Sequence, residues 1–372
     1  MKKYLVSLFL ILALCFSLAA CVKEETLTLS FMVDGELYQE NIYYSAGGVR
    51  APVNPPKKEG YTFNGWYYDK GNWEYIFDET YFNREFKEAA YTLHARFEPY
   101  AFTLNADNVS YTLTEAFSTA TGDIVIPSRY MDKPVTAIAD GVFSGRTDIT
   151  SVTIPDSITS IGASAFSGTG IKTLILPSGI KTLGGRAFSE CVKLEIVSLG
   201  SVLYRIAPSA FEGCTALTTV IIPRSVEYID EAAFKGCESL TSIALPALLD
   251  QIGTSAFEGC VSLDVIDLPN GLVSVADRAF FGATNARVTL PDTAQHIGES
   301  AFDGVKSVSM GKNLLTVGKA AFANMTGEIS YRGEVAAFEA IPLLHASWSE
   351  GRTLSIVCTD GEIAPLPSTT ED

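Results

Sequence analysis

Hydrophobic and polar positions repeat along most of this chain with a nearly fixed period. The marker of the period is a phenylalanine, usually preceded by alanine, and successive markers lie 20 to 23 residues apart. The markers are Phe143, Phe166, Phe188, Phe211, Phe234, Phe257, Phe280, Phe302 and Phe322. An Ile-Pro or Leu-Pro pair precedes most of them. A period of this size predicts a solenoid in which each repeat forms one coil and stacks on the next.

The coil that contains Phe257 illustrates what the alternation of side chains implies. In the segment 240–246, leucine and isoleucine alternate with serine and alanine. We expect a strand in which Ile243 points inward and Ser242 outward, because successive side chains of a strand face opposite sides. Pro246 ends the strand, since proline fixes φ and has no N–H to donate. The Phe257 ring then fills the middle of the coil, and stacked neighbours cover its apolar sides.

This repeating pattern resembles the BspA-type leucine-rich repeat, and the resemblance covers about two thirds of the chain. It implies a mainly β fold, a leucine-rich-repeat solenoid of about nine coils of 20–23 residues, over residues 100–330. Residues 111–135 read as an entry coil, and residues 331–363 resemble the carboxy-terminal cap of the family. Residues 364–372, rich in proline, hydroxyl and acidic side chains, are expected to be disordered.

Residues 26–99 form a separate, aromatic-rich segment with strand-like alternation. Its motifs are Gly47-Gly48, the run 60–67 (GYTFNGWY) and the run 93–97 (LHARF). These resemble the internalin B-repeat, also called the Listeria–Bacteroides repeat, although Phe97 replaces the usual tryptophan of that family. The resemblance implies a small β-grasp-like domain before the solenoid. Most of the aromatic rings are expected to fill its core, and a stripe of exposed tyrosine and tryptophan is the alternative, as a sugar or protein contact.

The first twenty residues have the features of a bacterial lipoprotein signal peptide. Two lysines precede an apolar run that is shorter than a membrane span. The run ends in Leu18-Ala19-Ala20-Cys21, which resembles the lipobox. This resemblance implies a palmitate-type lipid on Cys21 as a membrane anchor, residues 21–25 as a lipidated tether, and display on the extracellular face of the cell envelope, at the cell membrane or the outer membrane.

Charge and chemistry narrow the classes of function. The net charge of −16 excludes nucleic acid as a partner, because an acidic surface repels phosphate. Only three histidines occur, His94, His296 and His345, in separate contexts, and no nucleophile has a convincing base. We therefore expect no enzyme, no metal and no cofactor.

Four cysteines each lie three residues after a marker phenylalanine, so they occupy the same position in successive coils. Their thiols are the remaining candidates for metal ligands. They are Cys191, Cys214, Cys237 and Cys260. One zinc ion cannot collect ligands spread over four coils, whereas disulfides between adjacent coils are sterically possible. Because the same column holds threonine, alanine and valine in other coils, small buried free thiols are favoured.

The outward strand positions are the remaining candidates for a binding site. Hydroxyl and β-branched residues suit any strand surface, but several positions would expose apolar area on one face. The candidate ligand surface consists of Ile175, Ile196, Thr219, Ile221, Ser242, Val265 and Asp267.

The sequence thus predicts a monomeric cell-surface lipoprotein that acts as an adhesin-like, protein-binding recognition module. Its partner would be a protein or glycan on a host or bacterial surface, and it would meet the membrane through the Cys21 lipid. Two alternatives remain: a structural spacer or envelope-assembly scaffold, and a glycan-binding protein that uses the aromatic amino-terminal module.

Overall fold

The computed structural model describes residues 26–44, 49–68, 70, 76–77, 90–344, 347–348, 350 and 352–364. The predicted signal peptide, the tether with Cys21, the Gly47-Gly48 pair, His345 and residues 365–372 lie outside the described residues. The chain divides into two compact units, Met1–Glu98 and Pro99–Asp372. Each unit has its own hydrophobic core.

A four-stranded mixed sheet forms the described part of the amino-terminal unit. Its strands are β1 (Thr26–Val33), β2 (Glu36–Tyr44), β3 (Thr62–Tyr67) and β4 (Ala90–Glu98). The strand order is β2-β1-β4-β3, in which β1 and β4 run parallel and the two outer pairs are antiparallel. The described sheet is therefore mixed, with a parallel pair at its centre.

Aromatic rings fill much of the core of this unit. Leu27, Leu29 and Phe31 are buried at alternate positions of β1, which is the period-2 pattern of a half-buried strand. The Phe31 ring packs edge-on against Trp66 and Phe77, with centroids 4.9 and 6.1 Å away. These rings therefore fill the core, as the sequence predicts for most aromatic residues of this unit.

The second unit is a solenoid built from short strands, two in most coils. In chain order they are β5 (Tyr100–Leu104), β6 (Tyr111–Ala116), β7 (Gly122–Val125), β8 (Arg129–Tyr130), β9 (Lys133–Ile138), β10 (Ile149–Thr153), β11 (Ser160–Ile161), β12 (Thr173–Ile175), β13 (Thr182–Leu183), β14 (Ile196–Ser198), β15 (Arg205–Ile206), β16 (Thr219–Ile221), β17 (Tyr228–Ile229), β18 (Gln251–Ile252), β19 (Val265–Asp267), β20 (Ser274–Val275), β21 (Arg287–Thr289), β22 (His296–Ile297), β23 (Ser307–Met310), β24 (Thr316–Val317), β25 (Ile329–Tyr331), β26 (Leu343–Leu344), β27 (Ile356–Val357) and β28 (Glu362–Ile363). One short helix, α1 (Val335–Glu339), lies near the carboxyl end.

These strands form two faces of the solenoid. The first face consists of three sheets, β7-β10, β12-β14-β16 and β19-β21-β23-β25-β27-β28. The second face consists of two, β5-β6-β9-β11-β13 and β15-β17-β18-β20-β22-β24-β26. Nearly all pairs are parallel, and the antiparallel pairs β5-β6, β8-β9 and β27-β28 lie near the two ends. Nine marker coils and the entry coil together make a solenoid of about ten turns, as the sequence predicts.

One predicted strand is absent. The coil with residues 240–246, which the sequence pattern marks as a regular example, has no strand on the first face. Its alternation is nevertheless present, because Ile243 is buried while Ser242 and Ala244 are exposed. Core packing sets which side chains point inward, whereas a strand also requires ladder hydrogen bonds. Here the Thr241 carbonyl accepts one bond from Asp264, but the N–H groups of residues 241–245 donate no backbone hydrogen bond.

The marker phenylalanines form one continuous stack through the core. All nine rings are fully buried, neighbouring centroids lie 4.8 to 6.2 Å apart, and neighbouring planes differ by at most 12°. Tyr100 meets the first ring, Phe143, edge-on at 6.1 Å. Trp348 meets the last ring, Phe322, edge-on at 6.4 Å. Edge-to-face contact is a favoured aromatic geometry, so each end of the stack is covered.

Each marker ring is held between two left-handed backbone turns. The residues two before and two after each ring have φ between 51° and 76°. The later position is glycine in seven coils, as expected where φ is positive. Glu190 and Asn324 occupy it in the remaining two coils. The short recurrent motif around the ring is therefore a backbone requirement as well as a packing requirement.

Candidate binding surface

The outward residues of the first face include three large apolar side chains in the central coils. Ile175, Ile196 and Ile221 are 67%, 41% and 56% exposed, and Thr219 is also exposed. The residues between them on the same strands point inward and are buried (Leu174, Val197 and Val220). The predicted inward and outward assignments are therefore correct at these positions.

Strand register brings the three isoleucines together. Ile196 pairs with Thr219, and Ser198 pairs with both Ile175 and Ile221. Because adjacent strands lie about 4.8 Å apart, Ile175 and Ile221 are about 10 Å apart across the β14 strand, and Ile196 lies on that strand. We call Ile175, Ile196 and Ile221 the isoleucine patch.

The other predicted surface residues lie apart from this patch. Val265 and Asp267 are exposed on β19, which starts a new sheet two coils beyond β16. Ser242 is exposed on the coil between β16 and β19, which has no strand on this face. Beside Val265, Arg287 forms an exposed ion pair with Asp264 at 2.7 Å. The candidate surface is therefore two groups of residues separated by a coil with small side chains.

The second face carries a pocket that the sequence reasoning missed. It has a volume of about 270 Å³ and opens between β17, β18 and β20. Its polar lining consists of Asp230, Glu231, Gln251, Thr254 and Ser274, and Ile229, Ile252, Gly253 and Ala276 complete it.

Tyr228 and Arg205 lie beside this pocket, and Tyr204 contacts Tyr228. Tyr228 pairs in register with Gln251, and Gln251 with Ser274, so the tyrosine stands in the same outward row as two lining residues. Arg205 lies over the Tyr228 ring at 4.8 Å, and the exposed Tyr204 ring meets Tyr228 edge-on at 6.4 Å. The rim of the pocket is therefore aromatic and cationic.

The Asp230 carboxylate is the most constrained polar group of the pocket. The Arg205 Nη1 group donates to both of its oxygens, at 3.2 and 3.1 Å. Burial raises the pKa of Asp230 above its usual range, and Arg205 opposes that shift. The carboxylate thus loses solvation in this position and regains part of it from one guanidinium.

A column comparison would have found Asp230 from the sequence. In the other eight coils the residue four before the marker ring is glycine or alanine: Ala139, Gly162, Gly184, Ala207, Gly253, Ala276, Gly298 and Gly318. The column packs closely, since a Cβ added at Gly253 would lie 2.7 Å from backbone atoms of the preceding coil. A carboxylate at a position that is otherwise glycine or alanine is the sequence signal that singles out Asp230.

The cysteine column is buried and its thiols are free in the structure. Each Sγ donates to the carbonyl oxygen of a marker phenylalanine in an adjacent coil, at 3.1 to 3.2 Å. Burial raises the pKa of all four thiols, that of Cys260 to about 12. Protonated, hydrogen-bonded thiols of this kind are packing groups.

The histidines remain apart in the described part of the chain. Burial lowers the pKa of His94, with the Lys70 charge as a smaller cause. His296 lies on the second face, where its Nδ1 is 3.0 Å from the Thr316 hydroxyl. Among the described residues, no group of three or more His, Cys, Asp or Glu side chains is arranged to hold a metal ion. Nor does any helix within the described ranges have the length and apolarity to span a membrane.

Comparison with known proteins gives one family and several similar structures. The family model described as "BspA type Leucine rich repeat region (6 copies)" matches residues 136–260 and 227–332. A leucine-rich-repeat protein of T. pallidum is 26% identical over 55% of this chain and 86% of its own, with a TM-score of 0.41. A leucine-rich cell-surface protein of Faecalibacterium prausnitzii is 23% identical over 70% of this chain and 93% of its own, with a TM-score of 0.40. Among curated proteins, no match was found. The two matched ranges together span more than half of the chain, so this protein belongs to the BspA-type leucine-rich-repeat family.

Proposed function

We propose that this protein is a bacterial cell-surface recognition module that binds a protein partner through the isoleucine patch on the first face of its solenoid. The observation that carries the proposal is the exposure of Ile175, Ile196 and Ile221 on adjacent strands. Contiguous exposed apolar area is uncommon on soluble proteins and marks interaction sites. The family is one of repeat modules, and solenoids offer extended faces of this kind.

Adhesion at an envelope surface is the biological setting that we propose for this binding. Cys21 would carry the lipid, and residues 26–99 would act as an internalin B-repeat module close to the membrane. One acyl chain gives only marginal membrane binding, whereas two give stable anchoring, and a bacterial lipoprotein terminus carries at least two.

A charge substitution within the patch tests the proposal. The full chain, immobilised, is exposed to host and bacterial surface extracts, and captured proteins are identified by mass spectrometry and then titrated individually. Ile196→Lys together with Ile221→Lys should reduce affinity for the captured partner at least about a hundred-fold, because two lysines would have to be desolvated at the interface. Stability should change by less than about 1 kcal/mol, since both positions are exposed.

The matched control introduces two lysines at exposed apolar positions outside the first-face strands. Val192 and Val202 are half exposed and lie outside them, so Val192→Lys with Val202→Lys should leave affinity unchanged. Wild-type affinity in the Ile196/Ile221 double variant, with the fold intact by circular dichroism, would contradict the proposal and favour a spacer. Equal loss in both double variants would indicate a general charge effect.

A further inference from the structure

A second binding site, on the opposite strand face from the isoleucine patch, follows from the pocket beside Asp230. We infer that this pocket binds a neutral sugar residue of a glycan, with Asp230, Gln251 and the neighbouring Arg205 contacting its hydroxyl groups. The inference does not rest on the protein-binding proposal, since it uses different strands and different chemistry.

The polar groups of the pocket match what a sugar offers. Vicinal hydroxyls both donate and accept, and the lining holds a carboxylate that accepts, an amide and hydroxyls that do both, and a guanidinium that donates. Of the three guanidinium nitrogens of Arg205, only Nη1 donates to Asp230. The N–H groups of Nε and Nη2 can therefore donate to a ligand. Asp230 and Arg205 are held by each other, which orients both before a ligand arrives.

The lining also supplies an apolar part. Ile229, Ile252 and Ala276 lie among the polar lining residues. A pyranose ring presents C–H groups as well as hydroxyls, so a lining with apolar and polar groups can contact both.

Charge and size favour a neutral ligand of one ring. Arg205 already neutralises Asp230, while Glu231 remains on the lining, so an anionic sugar would meet net negative charge. A volume of about 270 Å³ corresponds to about nine water molecules, which suits one pyranose ring with part of the next. A ligand of that size binds with a Kd on the order of 1 mM in a single site.

The packing of its column does not require Asp230, although the carboxylate pairs with Arg205. Ala207 and Ala276 occupy the same column in nearby coils, and burial disfavours the charged form of the Asp230 carboxyl. Asp230→Ala should therefore fold normally. Loss of binding in this variant would report on the pocket and not on unfolding.

Saturation-transfer NMR with the full chain tests the inference. The probes are glucose, galactose, mannose, N-acetylglucosamine, cellobiose and lactose, with arginine methyl ester as a cationic probe. At least one sugar should bind with a Kd on the order of 1 mM, and Asp230→Ala and Gln251→Ala should each weaken it at least ten-fold. The matched control, Thr182→Ala, changes the same outward row two coils before Tyr228 and should have no effect.

Two further variants distinguish this pocket from the isoleucine patch and from the amino-terminal unit. The Ile196/Ile221 double variant should retain sugar binding, so failure of one proposal does not entail failure of the other. Tyr38→Ala, in the amino-terminal unit, should also retain it. The inference is overturned if no sugar of the panel binds, if arginine methyl ester binds in preference to every sugar, if Asp230→Ala binds as wild type, or if only Tyr38→Ala loses binding.

Discussion

At the scale of single residues, the cysteine column shows how a repeat fold uses reactive side chains as small packing groups. The column accepts Thr169, Ala283 and Val305 in other coils. The Thr169 hydroxyl donates to the Phe166 carbonyl of its own coil, whereas each thiol donates to the marker carbonyl of the preceding coil. A small side chain satisfies the position, with or without a hydrogen bond to a marker carbonyl. The thiol's redox and metal chemistry is not required there.

We expect the four column thiols to be unreactive in the native protein. Because burial raises their pKa, thiolate is scarce at pH 8, and the thiolate is the species that alkylates. Iodoacetamide should leave Cys191, Cys214, Cys237 and Cys260 unmodified in the native chain and label all four in guanidinium without reductant, as measured by peptide mass spectrometry. The control Val261→Cys places an exposed thiol beside Cys260 and should react at once. Unlabelled column cysteines in the unfolded chain would demonstrate disulfides.

At the scale of elements, the two faces of the solenoid are interrupted at different coils. The first face is broken between β10 and β12 and again at residues 241–245, where no strand forms, and the second face is broken between β13 and β15. At the second of these first-face breaks, none of the backbone N–H groups of residues 241–245 donates a backbone hydrogen bond within the described chain. The inward Val220 and Ile243 there are 6% and 8% exposed, while Val197 is fully buried. The ladder is therefore slightly open at this coil, and the Phe stack and the second face hold the coils together.

Amide hydrogen exchange should be faster at this break than elsewhere on the first face. Amides 242–245 lack ladder bonds, so their opening requires no sheet to separate, whereas β14 is paired on both sides. We expect exchange at least about ten-fold faster in 242–245 than in 196–198, which corresponds to about 1.4 kcal/mol less opening free energy. Exchange mass spectrometry with overlapping peptides measures both segments in one sample. Equal protection would mean that the ladder is closed in solution.

At the scale of the whole molecule, two kinds of domain occur in one chain. A mixed four-stranded sheet with an aromatic core makes up the described part of the amino-terminal unit, and the other unit is a parallel solenoid with stacked phenylalanines. The first is closed around one core, while the second grows by repetition and needs covered ends. The proposed lipid on Cys21 would attach both domains to a membrane. Cys21 precedes both domains, so this anchoring would depend on neither fold.

Detergent partitioning tests that anchor. Wild-type protein from a bacterial expression host should enter the detergent phase of Triton X-114, because acyl chains bury about 0.8 kcal/mol per CH₂. Cys21→Ala should shift it to the aqueous phase or leave an uncleaved precursor. Cys15→Ala, within the apolar run, is the control and should partition as wild type. An unmodified Cys21 in the mass spectrum of the mature chain would refute lipidation.

The sequence by itself determined the repeat, its period and the direction of most side chains. Phe257, Ile243 and Ile196 could be placed inward or outward because a fixed period and strand alternation depend only on local spacing. Tertiary structure decided what depends on neighbouring coils. Register brought Ile175, Ile196 and Ile221 together, and ladder geometry removed the strand at residues 241–245. Stacking of three coils brought Asp230, Gly253 and Ala276 into the lining of one pocket. Each of these joins residues more than twenty positions apart, and their separation in space is set by how coils stack.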